Sequence, residues 1–223
     1  MNILLIKPTS HTDSITPSLG LGYLATALRP AHEVVIVDGP LVRLNPPKLE
    51  RILNEYKPDM VGFSLISMDL YLTSSYLRLI RRTLPGAVTV VGGPHASGEP
   101  EDTFYNYIPD LDYAFVGEGE KGLRMLADLL DRGQPAAAEL GTVPGLVYRD
   151  GVKFVKNPPY IEENLDSLGF PAWDLMDPRL YPPAPHAGFA RLFPVANISA
   201  TRGCPFDCEF CAARNIQGRK IRR

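Results

Sequence analysis

The three cysteines of this chain fall within eight residues, Cys204-Pro205-Phe206-Asp207-Cys208-Glu209-Phe210-Cys211. The spacing C-x3-C-x2-C can wrap three thiolates around three corners of a cubane iron–sulfur cluster. Such clusters usually take four thiolates, so a group of three leaves one iron for an exogenous ligand or substrate. A zinc site would want four nitrogen or sulfur donors, and the nearest histidine, His186, stands well upstream in a proline-rich segment. An odd number of thiols packed this closely is no disulfide framework. Cysteines that merely pack remain the plain alternative, and it leaves their spacing behind Arg202-Gly203 without a reason.

The elements that must position this loop are legible from the other end of the chain. Short apolar, largely β-branched runs recur at Ile3–Ile6, Val34–Val37, Met60–Ser64, Val88–Val91 and Tyr113–Val116, with helically spaced stretches between them. This alternation predicts an α/β fold, a parallel sheet covered by helices on both faces. Five strands in about 130 residues suit a flavodoxin-like doubly wound sheet of order 2-1-3-4-5, whose ligand belongs at the C-terminal ends of strands one, three and four. Asn45-Pro46-Pro47 opens one helix and Lys57-Pro58-Asp59 stops it. Another carries Leu70, Tyr76, Leu77 and Ile80, and the last runs from about Gly119, with Gly133 suited to its C′ position.

Beyond Gly133 the alternation stops, and half of the 22 prolines lie between Pro135 and Pro205. Asp150-Gly151 between two strand-like runs predicts a hairpin. A proline-rich connector follows from Asn157 to about Pro185, and Phe193–Ala200 reads as one more strand leading into Thr201-Arg202-Gly203-Cys204. The expected division is therefore 1–133 for the α/β domain, 134–190 for hairpin and linker, and 191–223 for the start of a further domain.

Two glycine-bearing segments invite a ligand. Ser64, Gly92 and Gly93 end strands three and four with small residues, where backbone can approach a ligand closely; as a turn alone, Gly-Gly-Pro needs no ligand. Gly117-Glu118-Gly119-Glu120-Lys121-Gly122 fits G-x-G-x-x-G, the dinucleotide fingerprint, yet it follows the last strand instead of the first and would set two carboxylates against a pyrophosphate.

The cysteine loop resembles the signature of the radical S-adenosylmethionine (SAM) superfamily, C-x3-C-x-aromatic-C, with Phe210 at the aromatic position. Pro17–Ala25, Asp59–Ser64, Val90–Ala96 and Asp112–Glu120 resemble, in order, the vitamin B12-binding domain that precedes many radical SAM barrels. The resemblance spans nearly the whole chain. It implies a [4Fe-4S] cluster on Cys204, Cys208 and Cys211, whose free iron would chelate S-adenosylmethionine. It also implies cobalamin, with its broad ring across the sheet edge and its nucleotide tail in a slot between strands, touching Ser10, Ser64, Leu65, Ser67, Gly92, Gly93, His95, Glu118 and Gly119. Glu118 would accept hydrogen bonds from the corrin amide arms. Some B12 domains ligate cobalt through D-x-H-x-x-G; Thr9-Ser10-His11-Thr12-Asp13-Ser14 lacks the Asp and the Gly, so His11 is expected to be a loop histidine.

The function so implied is the N-terminal part of a B12-dependent radical SAM enzyme, methyltransferase-like or catalysing a radical rearrangement. Phe193–Ala200 would be the first, truncated strand of its barrel, and the 223 residues are expected to bind corrinoid without turning over substrate alone. No catalytic residue is assigned. The alternatives are a stand-alone corrinoid carrier or sensor with a vestigial cysteine loop, and a ferredoxin-like electron carrier joined to a B12 fold. A formal charge of -2 and a pI near 6.1 give no electrostatic case for nucleic acid or an anionic membrane. The expected partners are small-molecule cofactors, with a C-terminal barrel fragment or a reductant protein. No apolar run approaches the roughly 20 residues of a bilayer span and Met1–Lys7 is no signal peptide, so a cytoplasmic location is expected. Arg214, Arg219, Lys220, Arg222 and Arg223 read as a solvated end.

Overall fold

The computed structural model describes residues 1–8, 15–151, 153–183 and 192–223. Its strands are β1 (Asn2–Lys7), β2 (Glu33–Asp38), β3 (Met60–Ser64), β4 (Val88–Gly92), β5 (Tyr113–Phe115), β6 (Leu146–Asp150) and β7 (Lys153–Lys156). Its helices are α1 (Leu19–Leu28), α2 (Gly39–Val42), α3 (Pro46–Tyr56), α4 (Leu70–Thr83), α5 (Pro94–Gly98), α6 (Pro100–Asp102), α7 (Glu120–Asp131), α8 (Ala137–Leu140) and α9 (Ala213–Gln217). Strands β1 to β5 pair in parallel in the order 2-1-3-4-5.

Burial on both faces explains why the strands are continuous apolar runs instead of alternating ones. Leu4, Ile6, Val61, Phe63 and Val91 face one core with residues of α3 and α4. Ile3, Leu5, Met60, Val90 and Phe115 face the other with α1 and α7. Each fully buried leucine or isoleucine contributes about 1.5–3 kcal/mol by leaving water, so the strands at the centre of this sandwich are its most stable part.

Local chemistry sets the helix ends. The Asn45 side chain accepts the Lys48 amide at 3.0 Å and caps α3, while Lys57, left-handed at φ 47°, closes it through its amide on the Leu53 carbonyl. Gly133 takes φ +130° just past α7, as a C′ residue should. The fourth crossover is broken into the short helices α5 and α6 and a π-helical segment at Thr103–Tyr107, with Pro94 and Pro100 each starting a new piece.

The sheet corrects two expectations. The hairpin forms about Asp150-Gly151, but it is no free linker: β6 pairs antiparallel with β5, extending the sheet to seven strands in the order β2-β1-β3-β4-β5-β6-β7. The last parallel strand would otherwise have left an open edge, and the hairpin satisfies its amides and carbonyls. Phe193–Ala200 forms no strand. A strand needs a hydrogen-bonded neighbour, and none of the described residues pairs with it.

The proline-rich connector is strapped to α1. The Ala172 amide donates to the Gly22 carbonyl at 3.1 Å, Thr26 Oγ1 donates to the Phe170 carbonyl at 2.6 Å, and Arg29 meets Asp174 at 2.8 Å. A side chain at Gly22 would collide with Met176 and Pro171. Further on, the Tyr181 hydroxyl donates to buried Asp38 at 3.0 Å, and burial, then the Asp38 charge, raise the phenol pKa well above its ordinary value. Among the described residues no helix is long and apolar enough to cross a membrane.

Candidate functional site

A cavity of about 360 Å³ opens at the C-terminal edge of the sheet, between the strands and the first turns of α1 and α7. Its floor follows the strand register. Leu5, Gly62 and Val90 are paired neighbours across β1, β3 and β4, and one level nearer the edge Ser64 is paired with Gly92 beside Phe115. A β-carbon at Gly62 would stand 3.0 Å from Leu5 Cδ2, whereas one at Gly92 would touch only Phe115 Cβ at 3.9 Å and otherwise enter the cavity. The walls are Leu21, Leu24 and Leu123; the roof is Ser199, Arg202, Ile216 and Gln217, from the segment that carries the thiols.

A broader depression of about 1060 Å³ lies at the opposite, N-terminal edge, lined by Lys57, Pro58, Leu84, Asp112 and Asp131 among others. In a doubly wound sheet, ligands bind beyond the C-terminal strand ends, and the smaller cavity is the one at that edge.

Five of the residues expected to touch a cofactor line this cavity: Ser64, Gly92, Gly93, Glu118 and Gly119. Gly93 adopts φ +100°, and a β-carbon there would lie 2.9 Å from the backbone N and O of Leu65. Leu65 itself is buried in the core of the other face, its amide donating to the Gly92 carbonyl and its carbonyl accepting the His95 amide. Ser67 and His95 pair with each other, Oγ to Nδ1 at 2.9 Å, with the His95 ring edge-on to Tyr107. Leu65, Ser67 and His95 therefore sit at the same end of the sheet without lining the cavity. Burial lowers the His95 pKa, opposed in part by the charges of Asp102 and Glu99, and its Nε2 has no protein partner among the described residues. Ser10 and His11, like His186, lie outside the described residues.

The thiol loop is closed at its neck. Arg202 and Arg222 exchange both backbone hydrogen bonds, at 3.0 and 2.8 Å, and the Cys204 amide donates to the Gly218 carbonyl. Gly203 holds φ +96° where a side chain would strike the Lys220 carbonyl, so only glycine fits. Cys204 is half-buried; Cys208 and Cys211 are exposed, joined by the turn bond from the Cys211 amide to the Cys208 carbonyl. Among the described residues, no three His, Cys, Asp or Glu side chains are gathered closely enough to hold a metal ion.

The loop neck docks through charge: Arg222 departs from the solvated end expected of the basic residues, whereas Arg214, Arg219, Lys220 and Arg223 are exposed as expected. Arg222 is buried and grips Glu118 with both guanidinium nitrogens, at 2.7 and 2.9 Å. The same two terminal nitrogens also donate to the carbonyls of Glu162 and Gln217 at 2.6 Å, while the buried Nε has no partner among the described residues. Arg202, over the Tyr23 ring, donates to Glu120 at 2.7 Å and lies 3.5 Å from Glu118. Burial alone would raise the Glu118 carboxyl, but the Arg222 fork, the Glu162 amide and the Arg202 charge outweigh it and hold its pKa below the ordinary value. Glu118 is thus a carboxylate gripped by arginine that also lines the cavity. Arg202, Arg222, Tyr23, Ile216 and Gln217 escaped sequence reasoning. The acids of Gly117-Glu118-Gly119-Glu120 were a signal that cations must be near, but nothing in the sequence names partners about a hundred residues away.

Comparison with known proteins agrees with this geometry. The profile of the B12 binding domain family matches residues 9–127. An uncharacterized methyltransferase of Pyrococcus horikoshii is 30% identical over 100% of this chain, which covers 47% of that protein. The solved cobalamin-dependent S-adenosylmethionine radical enzyme OxsB, with aqua-cobalamin and S-adenosylmethionine bound, superposes with a TM-score of 0.80 at 22% identity, over 99% of this chain and 29% of that one. The radical S-adenosylmethionine methyltransferase TsrM from Kitasatospora setae, with cobalamin and a [4Fe-4S] cluster bound, gives 0.73 at 21% identity, over 98% and 42%. At such identities the two structures establish a shared fold, and the chain spans about half or less of the length of the curated relatives it matches. With the match covering most of the parallel sheet and the cavity at its edge, the chain belongs to the B12-binding domain family, among relatives that include cobalamin-dependent radical SAM methyltransferases.

Proposed function

We propose that this chain is the cofactor-binding front of a B12-dependent radical SAM enzyme, a methyltransferase or a catalyst of radical rearrangement. In this reading the nucleotide tail of cobalamin enters the cavity and the corrin ring lies across its rim. The observation that carries it is the coincidence of an apolar cavity at the C-terminal strand ends with a roof made by the thiol loop's own neck. A volume of about 360 Å³ suits a nucleotide-sized group and excludes a whole corrinoid. Gly62 and Gly92 keep the slot open, and the Ser64 hydroxyl offers a hydrogen bond at its mouth. Ser10, Ser67, Gly93, His95, Glu118 and Gly119 are the remaining proposed contacts around the ring and the cavity mouth; Leu65, buried in the opposite core, is not among them. Bound cobalamin would supply a cobalt centre able to carry a methyl group; the protein's part is to hold that centre in register and keep water from the tail.

Cys204, Cys208 and Cys211 are the proposed ligands of a [4Fe-4S] cluster that would bind S-adenosylmethionine. Three soft thiols suit iron–sulfur chemistry, and the loop would have to draw the exposed Cys208 and Cys211 towards Cys204. A reductant protein would supply the electron. The proposed organisation is a cobalamin domain at 1–133, a 134–190 segment whose hairpin extends that domain's sheet before the connector, and the start of the radical SAM domain at 191–223.

Titration with hydroxocobalamin, followed by visible absorbance, tests the first part; anaerobic reconstitution with iron and sulfide tests the second. The expected result is one corrinoid per chain and a cluster absorption that responds to S-adenosylmethionine. Corrinoid uptake without iron would leave a corrinoid carrier, and uptake of neither would overturn the reading.

A further inference from the structure

The Glu118, Glu120, Arg202 and Arg222 side chains are all buried, and three of them also line the cavity. Stability alone is a poor account of such a cluster. Withdrawing four charges from water costs several kcal/mol per ion, and apolar residues of similar volume often serve as well or better. What a buried charge cluster does supply is a unique register, because displacing one partner strands the others without solvent. Here the partners come from separate parts of the chain. The two acids flank Gly119, at the junction from β5 to α7, while the two arginines bracket the thiol loop and are bonded to each other through their backbones. Glu162 of the connector joins the same cluster, its amide donating to Glu118 and its carbonyl accepting Arg222 Nη1.

We propose that Glu118, Glu120, Arg202 and Arg222 form a lock that registers the thiol loop over the cavity, so that loop docking and cobalamin uptake reinforce each other. These are positioning residues. They act through the roof, since Arg202 and its neighbours Ile216 and Gln217 are cavity lining held in place by the acids. Coupling of this kind is reciprocal: whatever the docked roof adds to cofactor affinity, bound cofactor must add to roof docking. The coupling rests on the cobalamin site proposed above; the lock itself does not.

The test uses the full chain, its Glu118→Gln and Glu120→Gln variants and the charge-keeping Arg222→Lys, with hydroxocobalamin as probe. Hydrogen exchange is read at the neck amides of Arg202, Cys204 and Arg222, with the β1 and β3 amides as an internal measure of folding. In Glu118→Gln the neck amides should exchange at least about tenfold faster while the strands stay protected. The hydroxocobalamin Kd should rise by about tenfold, within the usual range of coupling. Saturating hydroxocobalamin should slow neck exchange in the wild type, and Arg222→Lys should fall between wild type and Glu118→Gln in both readouts. If Glu118→Gln does not fold, Glu120→Gln, which weakens the hold on Arg202 and leaves the Arg222–Glu118 fork intact, takes its place. Unchanged neck exchange in a folded variant overturns the lock. A loosened neck with wild-type affinity overturns the coupling. A wild type that takes up no hydroxocobalamin overturns the proposed function and the coupling together, and leaves the lock to be judged by exchange without ligand.

Discussion

Two adjacent glycines at the end of β4 should fail in opposite ways when given side chains. At Gly92 the backbone is ordinary extended strand, and a β-carbon would meet Phe115 Cβ at 3.9 Å, a normal contact. Gly92→Val should therefore fold, with a gain of roughly 0.5–1 kcal/mol from replacing a strand glycine. The valine methyls, however, project into a cavity of only about 360 Å³. Overfilling a fitted site costs about 1–3 kcal/mol, which converts to a loss of roughly 5- to 150-fold in hydroxocobalamin affinity. Gly93→Ala meets the reverse situation: φ is +100° and the new β-carbon would lie 2.9 Å from the Leu65 N and O. That substitution should cost stability directly, of the order of 1–3 kcal/mol. Thermal melts and absorbance titrations on both variants separate the effects. A Gly92→Val protein that melts no lower than wild type and binds hydroxocobalamin equally well would refute the assignment of this cavity to the cofactor.

Other consequences can be checked alongside. Gly203→Ala should open the loop neck, seen as faster exchange at the Cys204 amide, with the strand amides unaffected, because the new methyl strikes the Lys220 carbonyl. Tyr181→Phe removes the hydroxyl that donates to buried Asp38, and should lower stability by about 1.5–3 kcal/mol in denaturant unfolding. Burial lowers the His95 pKa in the fold, so below its ordinary value near 6.5 the unfolded chain takes up the proton first. The His95 contribution is therefore complete above about pH 6.5 and is lost as pH falls from there through the lowered value. The stability difference between pH 7.5 and 5.5 should be smaller in His95→Gln than in wild type.

The parallel core was readable because burial on both faces writes β1 to β5 as uninterrupted apolar runs, a signal that survives without any partner in view. Helix ends were readable for a similar reason, since Asn45, Lys57 and Gly133 act within a few residues of themselves. The fate of the hairpin was not readable. Asp150-Gly151 specifies a turn, but whether β6 then joins β5 depends on an edge over thirty residues earlier in the chain. Phe193–Ala200 misled because β-branched and apolar content measures fitness for a sheet and says nothing of whether a neighbour exists. In the site, the small residues Ser64, Gly92 and Gly93 at the strand ends line the cavity. Leu65 did not follow, because alternation along the strand turns it to the opposite core. The basic residues of the last turn looked solvated by composition, yet Arg222 is buried on Glu118; ion pairs between distant segments leave no local pattern.

A crystal structure of the chain with hydroxocobalamin tests the central claim most directly. The account predicts the nucleotide tail between the Leu5, Gly62, Val90 floor and the Leu21, Leu24, Leu123 wall, beneath Arg202 and Ile216. A corrinoid seated instead in the N-terminal depression beside Lys57 and Asp112, with the Gly62–Gly92 cavity empty, would contradict it.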